Sequence, residues 1–368
     1  MLIYWIFMGA QGLFAMMEQS LDRARHRVNA PWLVFAALLA LFIGLRWKTG
    51  GDWGNYYSNL QAFYWVGPMA TGQTGKDAGF TLLSIVAAMF PTGIIVITLF
   101  SGVLMAAALL RFSLDQPRPW LCMTVAFPYL VVVCGMGYIR QGIAISFLLL
   151  GLVALRQGKV INYTAWAVTA ALFHSTAVAM VPLGAFVSRR QRLLAVAIAA
   201  AATVIAFRSL LADRTEILMS AYVEAEADSA GALIRAFMNA LPGAVFLLFR
   251  RSFNLERSYK LAWTLLAAAA VMQVPAVIFY ASSTVVDRLG LYLLPVQCFV
   301  WSQVPDALAR NRQQRVALAT AVVALYIAIF FVFINYGDHA RYWLPYRFFL
   351  FEDGLCLECG DPFGRTAE

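Results

Sequence analysis

Eleven long apolar runs leave this chain little choice of solvent. They lie at about residues 2–17, 31–45, 79–110, 119–134, 139–155, 160–187, 193–207, 232–249, 261–281, 287–304 and 316–335. A helix needs roughly 20 apolar residues to cross a hydrocarbon layer, and most of these runs approach that length. Of 368 residues, 62% are hydrophobic and only 13% charged, whereas a soluble domain carries about 25% charged residues. A water-soluble fold would therefore expose far too much apolar surface. The expected fold is an all-α polytopic membrane bundle of about ten to twelve spans. It forms a single transmembrane domain over 1–368, with no internal repeat, low-complexity tract or soluble module.

Two runs are too long for one simple span. Phe90-Pro91-Thr92-Gly93 interrupts 79–110, and a proline inside a helix ends or kinks it, so this run divides into an interfacial half-helix and a true span. The run 160–187 carries His174 at its middle and basic residues at both ends, which predicts a helical hairpin or re-entrant pair. Leu2 to Met17 lacks a basic leading region and a small-residue cleavage site, so it reads as a first span and not a signal peptide.

Charge placement follows from alternating the loops. One side collects Arg23, Arg25, Arg27, Arg111, Arg118, Arg156, Lys159, Arg189, Arg190, Arg192, Arg250, Arg251, Arg257, Lys260, Arg310, Arg312 and Arg315, which is 17 of the 28 basic residues. Such a bias marks the cytoplasmic side. Both termini and the longer segments 46–78, 208–231 and 336–368 then lie outside. The net charge of +9 is thus topological, and no basic stretch with interleaved aromatics suggests nucleic acid.

Charged groups inside or at the rim of a bundle are costly, roughly 2.5–3.5 kcal/mol each at a helix centre, and so are candidates for function. Five sites qualify, all on the outer side. In Leu45-Arg46-Trp47-Lys48-Thr49-Gly50-Gly51-Asp52, the arginine ends a span, the glycines permit a turn, and Asp52 is placed to cap the next helix. Asp52, Asn55, Tyr56 and Asn59 then recur on one helical face, a pattern suited to a sugar or to an ordinary interfacial helix. Gly135-Met136-Gly137-Tyr138-Ile139-Arg140-Gln141 sets an arginine at a helix N-terminus, where backbone dipoles already favour an anion. A guanidinium there can clamp a phosphate or snorkel to the rim. His174, in Phe173-His174-Ser175-Thr176, can act as a base towards a sugar hydroxyl or pin the hairpin. Asp287-Arg288 opens another span, with Tyr292 one turn on, and offers a second phosphate ligand or a solvated loop end. Asp338, His339 and Arg341 follow the last span, where an aromatic membrane-surface segment explains them equally well.

The sequence has no HExxH, no Walker loop, no dinucleotide glycine fingerprint and no clustered carboxylates for a divalent metal. No metal and no cofactor are expected. Cys122, Cys134 and Cys298 lie in apolar spans as small hydrophobes. Cys356 and Cys359 suit a small disulfide, a weak redox motif or half a metal site.

Three of these segments together carry a resemblance. Leu45-Arg46-x-x-Thr49-Gly50-x-Asp52-x-x-x-Tyr56, Arg140-Gln141 opening a span, and Leu172-Phe173-His174-Ser175-Thr176-Ala177 followed by Val181-Pro182 resemble the EpsG family of Wzy-like exopolysaccharide and O-antigen polymerases. Asp287-Arg288 and Tyr292 are in keeping with it. The resemblance spans about residues 40–300. It implies a GT-C-like bundle in the bacterial cytoplasmic (inner) membrane, with its active site facing the periplasm or exterior. It also implies a metal-independent glycosyltransferase that moves a glycan from a polyprenyl (undecaprenyl) diphosphate carrier to the non-reducing end of a second carrier-linked unit. Arg140, Arg288 and Arg46 would bind the diphosphate. Asp52, Tyr56, Asn55, Gln141, Tyr292 and Asp287 would line the sugar path. His174 would activate the acceptor hydroxyl, with Asp52 as the alternative. The bilayer, chain-length regulators and export proteins are the further expected partners. A transferase using a polyprenyl-phosphate sugar, a flippase or exporter of lipid-linked oligosaccharide, and a membrane acyltransferase are the rival readings.

Overall fold

A computed structural model of the chain describes residues 1–18, 28–67, 77–187, 231–279 and 283–352, with two isolated positions at 197 and 201. The expected span at 193–207, nearly all of the segment 208–231, the basic groups at 23–27 and 189–192, and Cys356 and Cys359 lie outside the described residues. Within them the apolar runs are helices: α1 (Leu2–Met17), α2 (Ala30–Gly44), α3 (Trp53–Val66), α4 (Ala78–Ala88), α5 (Gly93–Ser113), α6 (Pro119–Ala126), α7 (Ile139–Arg156), α8 (Val160–Phe173), α9 (Pro182–Val187), α10 (Ala232–Phe249), α11 (Arg257–Phe279), α12 (Ser283–Gly290), α13 (Leu294–Leu308) and α14 (Arg312–Tyr336). Six stretches are long and apolar enough to cross a membrane: 93–113, 119–137, 139–156, 232–249, 257–279 and 312–336. The fold is an all-α polytopic membrane bundle.

Two of those six form its axis. In 119–137 and 139–156, 89% and 83% of the apolar window is buried, against 33–39% in α10, α11 and α14. The latter helices turn Ile234, Leu248, Phe279 and Phe331 outward, as lipid-facing helices do. Across the axis, α7 packs on α5 and α8, α6 packs on α1 and α13, and α10 packs on α11.

The expected breaks are present. Between α4 and α5 the chain turns over 89–92, at Pro91. The hairpin is also real: α8 stops at Phe173, residues 175–180 form a tight 3-10 turn, and α9 returns beside the start of α8. The Tyr163 hydroxyl donates to the Met180 carbonyl at 2.6 Å, and Gly184 sits so close to Thr164 and Tyr163 that a Cβ there would crowd both. His174 occupies the tip.

The central span widens into a π-helix over Phe127–Gly137, with Pro128 in its first turn, which shifts carbonyls out of α register. Side chains from elsewhere meet them. Trp343 Nε1 donates to Val132 O at 2.9 Å, and Arg46 Nη2 donates to Met136 O at 2.9 Å. Trp343 belongs to the segment after α14, which crosses the same end of the bundle and closes a two-residue antiparallel pair, Arg46 with Phe348 and Trp47 with Arg347.

The opposite end is laced by ion pairs. Arg118 holds Asp306 through Nε at 2.8 Å and Nη2 at 3.2 Å, Arg315 approaches the same carboxylate at 3.1 Å, and Arg156 pairs with Asp115. The Glu18 carboxylate accepts from the amides of Trp120 and Leu121, closing the N-terminus of α6 as an acidic group should.

Arg46 is completely buried, and its role differs from that of an anion ligand. Its Nε donates to Thr49 O at 3.1 Å, Nη1 to Ile43 O and Nη2 to Met136 O. These bonds tie the end of α2 to the π-helix. The three bonds follow from the break in α2, whose freed carbonyls need partners in an apolar setting. Next to it, Gly50 has φ +108°, and a Cβ there would overlap the Met136 carbonyl. Arg46→Ala leaves three buried carbonyls unpaired, each worth about 1–3 kcal/mol. The expected outcome is a clear fall in detergent melting temperature and in the yield of folded protein, read by thermal shift.

Candidate functional site

The helix breaks gather at one end of the bundle, and a polar pocket of about 250 Å³ opens there. One wall comes from α3. Asp52 occupies its N-cap position, yet its carboxylate makes no capping bond and lines the pocket instead, with Asn55, Tyr56 and Asn59 following on the same face. The expected capping role of Asp52 is therefore not observed. Among the described residues its side chain has no hydrogen-bond or ion-pair partner. Burial raises its carboxyl above the usual range, while Arg288 and Arg140 draw it back down.

The axial span supplies the second wall. The π-helix ends at Gly137, Tyr138 turns the chain, and α7 begins at Ile139, so Arg140 and Gln141 sit in its first turn at the positive end of the dipole. Arg140 Nη1 meets Asp77 Oδ2 at 3.2 Å. Its guanidinium lies over Phe80, 4.7 Å from the ring centroid, and over Tyr56 at 5.6 Å. These neighbours hold the guanidinium in one place. The Arg140 amide donates to the Tyr56 hydroxyl at 3.4 Å. Gln141 is buried, and its Nε2 donates to the Arg288 carbonyl at 2.6 Å.

His174, at the hairpin tip, lines the third side. Its Nδ1 is 2.7 Å from Thr176 Oγ1 and 2.9 Å from the Tyr292 hydroxyl, and those two oxygens are 3.1 Å apart. Asp77 Oδ1 accepts from the Ser175 amide at 2.9 Å, so one carboxylate fixes both Arg140 and the tip that carries His174. Arg288, near the end of α12, completes the ring. Its guanidinium stands 6.0 Å from the Tyr138 ring centroid, and among the described residues it makes no salt bridge.

The predicted residues thus separate. Asp52, Asn55, Tyr56, Arg140, Gln141, His174 and Arg288 line one pocket. Tyr292 reaches it through His174. Asp287 turns away from its neighbour Arg288 and is gripped by Arg235 of α10, Nε to Oδ1 at 2.7 Å and Nη2 to Oδ2 at 2.9 Å. Arg46 lies beneath the pocket as a structural pin. Asp338, His339 and Arg341 are exposed on the segment after α14 and line no part of it. Sequence reasoning missed Asp77, Tyr138 and Thr176 as site residues. The charged pair Lys76-Asp77 directly before an apolar run was the available signal, and it reads by default as a helix cap.

Two guanidiniums, one partnered and one open, face a bare carboxylate and an imidazole across a pocket that also offers amide and phenol groups. Such a set can hold a polyanion and bring a hydroxyl beside a base. A family model described as the EpsG family matches residues 29–348. No curated protein and no solved structure matches the chain. The matched stretch takes in every pocket residue and all six long spans, and the chain is a multi-pass membrane protein of the EpsG family.

Proposed function

We propose that this protein polymerises lipid-linked oligosaccharide repeat units, transferring a glycan from a polyprenyl diphosphate carrier to the non-reducing end of a second carrier-linked unit. Membership of the EpsG family supports a polysaccharide-polymerase type of role in general. The observation that carries the finer reading is the pairing of Arg140 with Arg288 around one pocket that also holds Asp52 and His174. In the reaction the acceptor oxygen forms a bond to the anomeric carbon, and the bond from that carbon to the diphosphate oxygen breaks. The leaving diphosphate takes the electron pair, and the hydroxyl proton passes to a pocket base. The charge that develops on the diphosphate is met by the two guanidiniums, whose planar forks match phosphate oxygens. The reading needs no metal. The pocket faces the outside of the inner membrane, since the basic loops belong to the other end.

Asn55, Tyr56 and Gln141 supply donors and acceptors for sugar hydroxyls, and the Tyr56 ring gives an apolar face. The Asp77 contact to Arg140 makes that guanidinium a positioned ligand, whereas Arg288 keeps its donors for the substrate.

Arg140→Ala and Arg288→Ala should each lower polymer formation by about 10²–10³ with unchanged protein abundance, read as glycan chain length on gels. Normal chain length in either variant removes the diphosphate-clamp role. Purified protein given a lipid-diphosphate-linked repeat unit in the presence of a chelator should form polymer. Polymer only on addition of a divalent ion would refute metal independence, and unreacted repeat units moved across a vesicle bilayer would point to a flippase.

A further inference from the structure

Among the described residues His174 is the one histidine lining the pocket and so the obvious base, but its hydrogen bonds argue for another role. Tyr292 is 2% exposed, so its hydroxyl proton needs an acceptor inside the protein. Among the described residues its oxygen meets His174 Nδ1 and Thr176 Oγ1. If Nδ1 carried a proton, three protons would crowd this trio and one hydroxyl, that of the half-buried Thr176, would have to donate outside it. If Nδ1 is a lone pair, both hydroxyl protons find acceptors within it. The second arrangement closes the hydrogen bonds of the trio without help from outside it, and it leaves the ring proton on Nε2. Nε2 has no hydrogen-bond partner among the described residues, and the ring lines the pocket.

An imidazole held in that tautomer presents an N–H to the substrate and has no lone pair there with which to take a proton. The pocket holds two carboxylates. Asp77 already accepts from Arg140 and from the Ser175 amide. Asp52 sits at the mouth of α3 without a partner among the described residues, and burial makes its carboxylate more basic than usual.

We propose that Asp52 is the catalytic base and that His174 is a hydrogen-bond donor through Nε2–H, locked by the Tyr292 and Thr176 hydroxyls on Nδ1. The assignment of the reacting groups rests on the polymerase reading; the tautomer does not. The acceptor hydroxyl proton passes to an Asp52 oxygen as the acceptor oxygen bonds to the anomeric carbon. The carbon–oxygen bond to the diphosphate breaks, and the departing oxygen keeps the electron pair. His174 Nε2–H and the two guanidiniums hydrogen-bond that diphosphate, and His174 transfers no proton.

Glutamine can place an amide N–H near the position of Nε2 but cannot act as a base, so it separates the two roles. The His174→Gln variant should retain activity within about ten-fold, the loss expected for one weakened hydrogen bond. His174→Ala should lose about 10²-fold as a missing donor does, and Asp52→Asn about 10³-fold as a missing base does. Polymer yield would be measured on full chain in nanodiscs, with thermal shift to check folding. In parallel, nitrogen NMR of histidine-labelled wild-type protein, with the His174 signal identified by its loss in His174→Gln, should show Nε2–H and an unprotonated Nδ1 at neutral pH. An Nδ1–H ring or an imidazolium overturns the donor role. His174→Gln as inactive as His174→Ala, with Asp52→Asn active, overturns the base assignment. A wild-type protein that makes no polymer overturns the polymerase reading and the base with it, while the NMR measurement still decides the role of His174.

Discussion

Backbone that leaves the helix inside a bundle must find its hydrogen bonds in protein, because hydrocarbon offers none. That constraint organises this molecule. The chain departs from α-helix after Gly44, at 89–92, through the π-helix of 127–137, at His174 and at 291–293, and several carbonyls near these breaks are met by named side chains. Thr98 Oγ1 donates to Gly44 O at 2.6 Å, Arg46 to Ile43 and Met136, Trp343 to Val132, Gln141 to Arg288, and Asn239 Nδ2 to Gly290 O at 2.9 Å. These contacts tie the helix breaks to one another through side chains from distant parts of the chain. A polar pocket opens at this end, where the breaks gather.

Contacts of this kind also sort the charges. Asp287 and Arg288 are consecutive in α12, so their side chains point in different directions. Asp287 turns into the bundle, where Arg235 takes both of its oxygens, and Asn239, Gln273, Gln297 and Tyr326 continue the network below. This half-buried charge pair ties α12 to α10. Arg288 is left facing the pocket. Arg140 reaches a similar position by the opposite route, held directly by Asp77 and lying over two aromatic rings.

Much of this was legible in the chain. The run lengths, the break at Pro91 and the overlong 160–187 stretch gave the bundle and the hairpin, because lipid forces helices and their lengths are readable. The glycine turn before Arg140 and the polar face of α3 gave two walls of the pocket. What could not be read was which way a charge turns. Arg46, Arg140 and Arg288 all stand at span ends with aromatic neighbours, but one is a buried pin on backbone carbonyls, one is braced by a carboxylate and one is open. The difference lies in carbonyls about ninety residues away along the chain, such as Met136 beneath Arg46, and in Asp77 beside Arg140. Asp77 itself escaped because an acidic residue before an apolar run has an ordinary explanation as a cap. Its partner lies 63 residues on. Asp338, His339 and Arg341 were chemically capable yet stayed exposed, since the segment anchors through Trp343 and Tyr346, whose polar atoms bond Val132 O and Phe42 O.

The hairpin explains why a histidine stands at the pocket at all. Its tip is not helical, so the Ser175 amide is free to bond Asp77 and the Thr176 hydroxyl is free to approach Nδ1. A continuous helix through 160–187 would bury that amide in its own ladder and project the ring into the bundle wall. Because α8 and α9 run back on each other, the tip is carried on two short helices braced by Tyr163 and Gly184. Asp77 then couples the tip to Arg140, and Tyr292 couples it to the start of α13. The positions of the imidazole and the two guanidiniums are therefore set together: Arg140 shares Asp77 with the tip, and Arg288 is only one turn before Tyr292. A change at any one of these contacts shifts the geometry of the pocket as a whole.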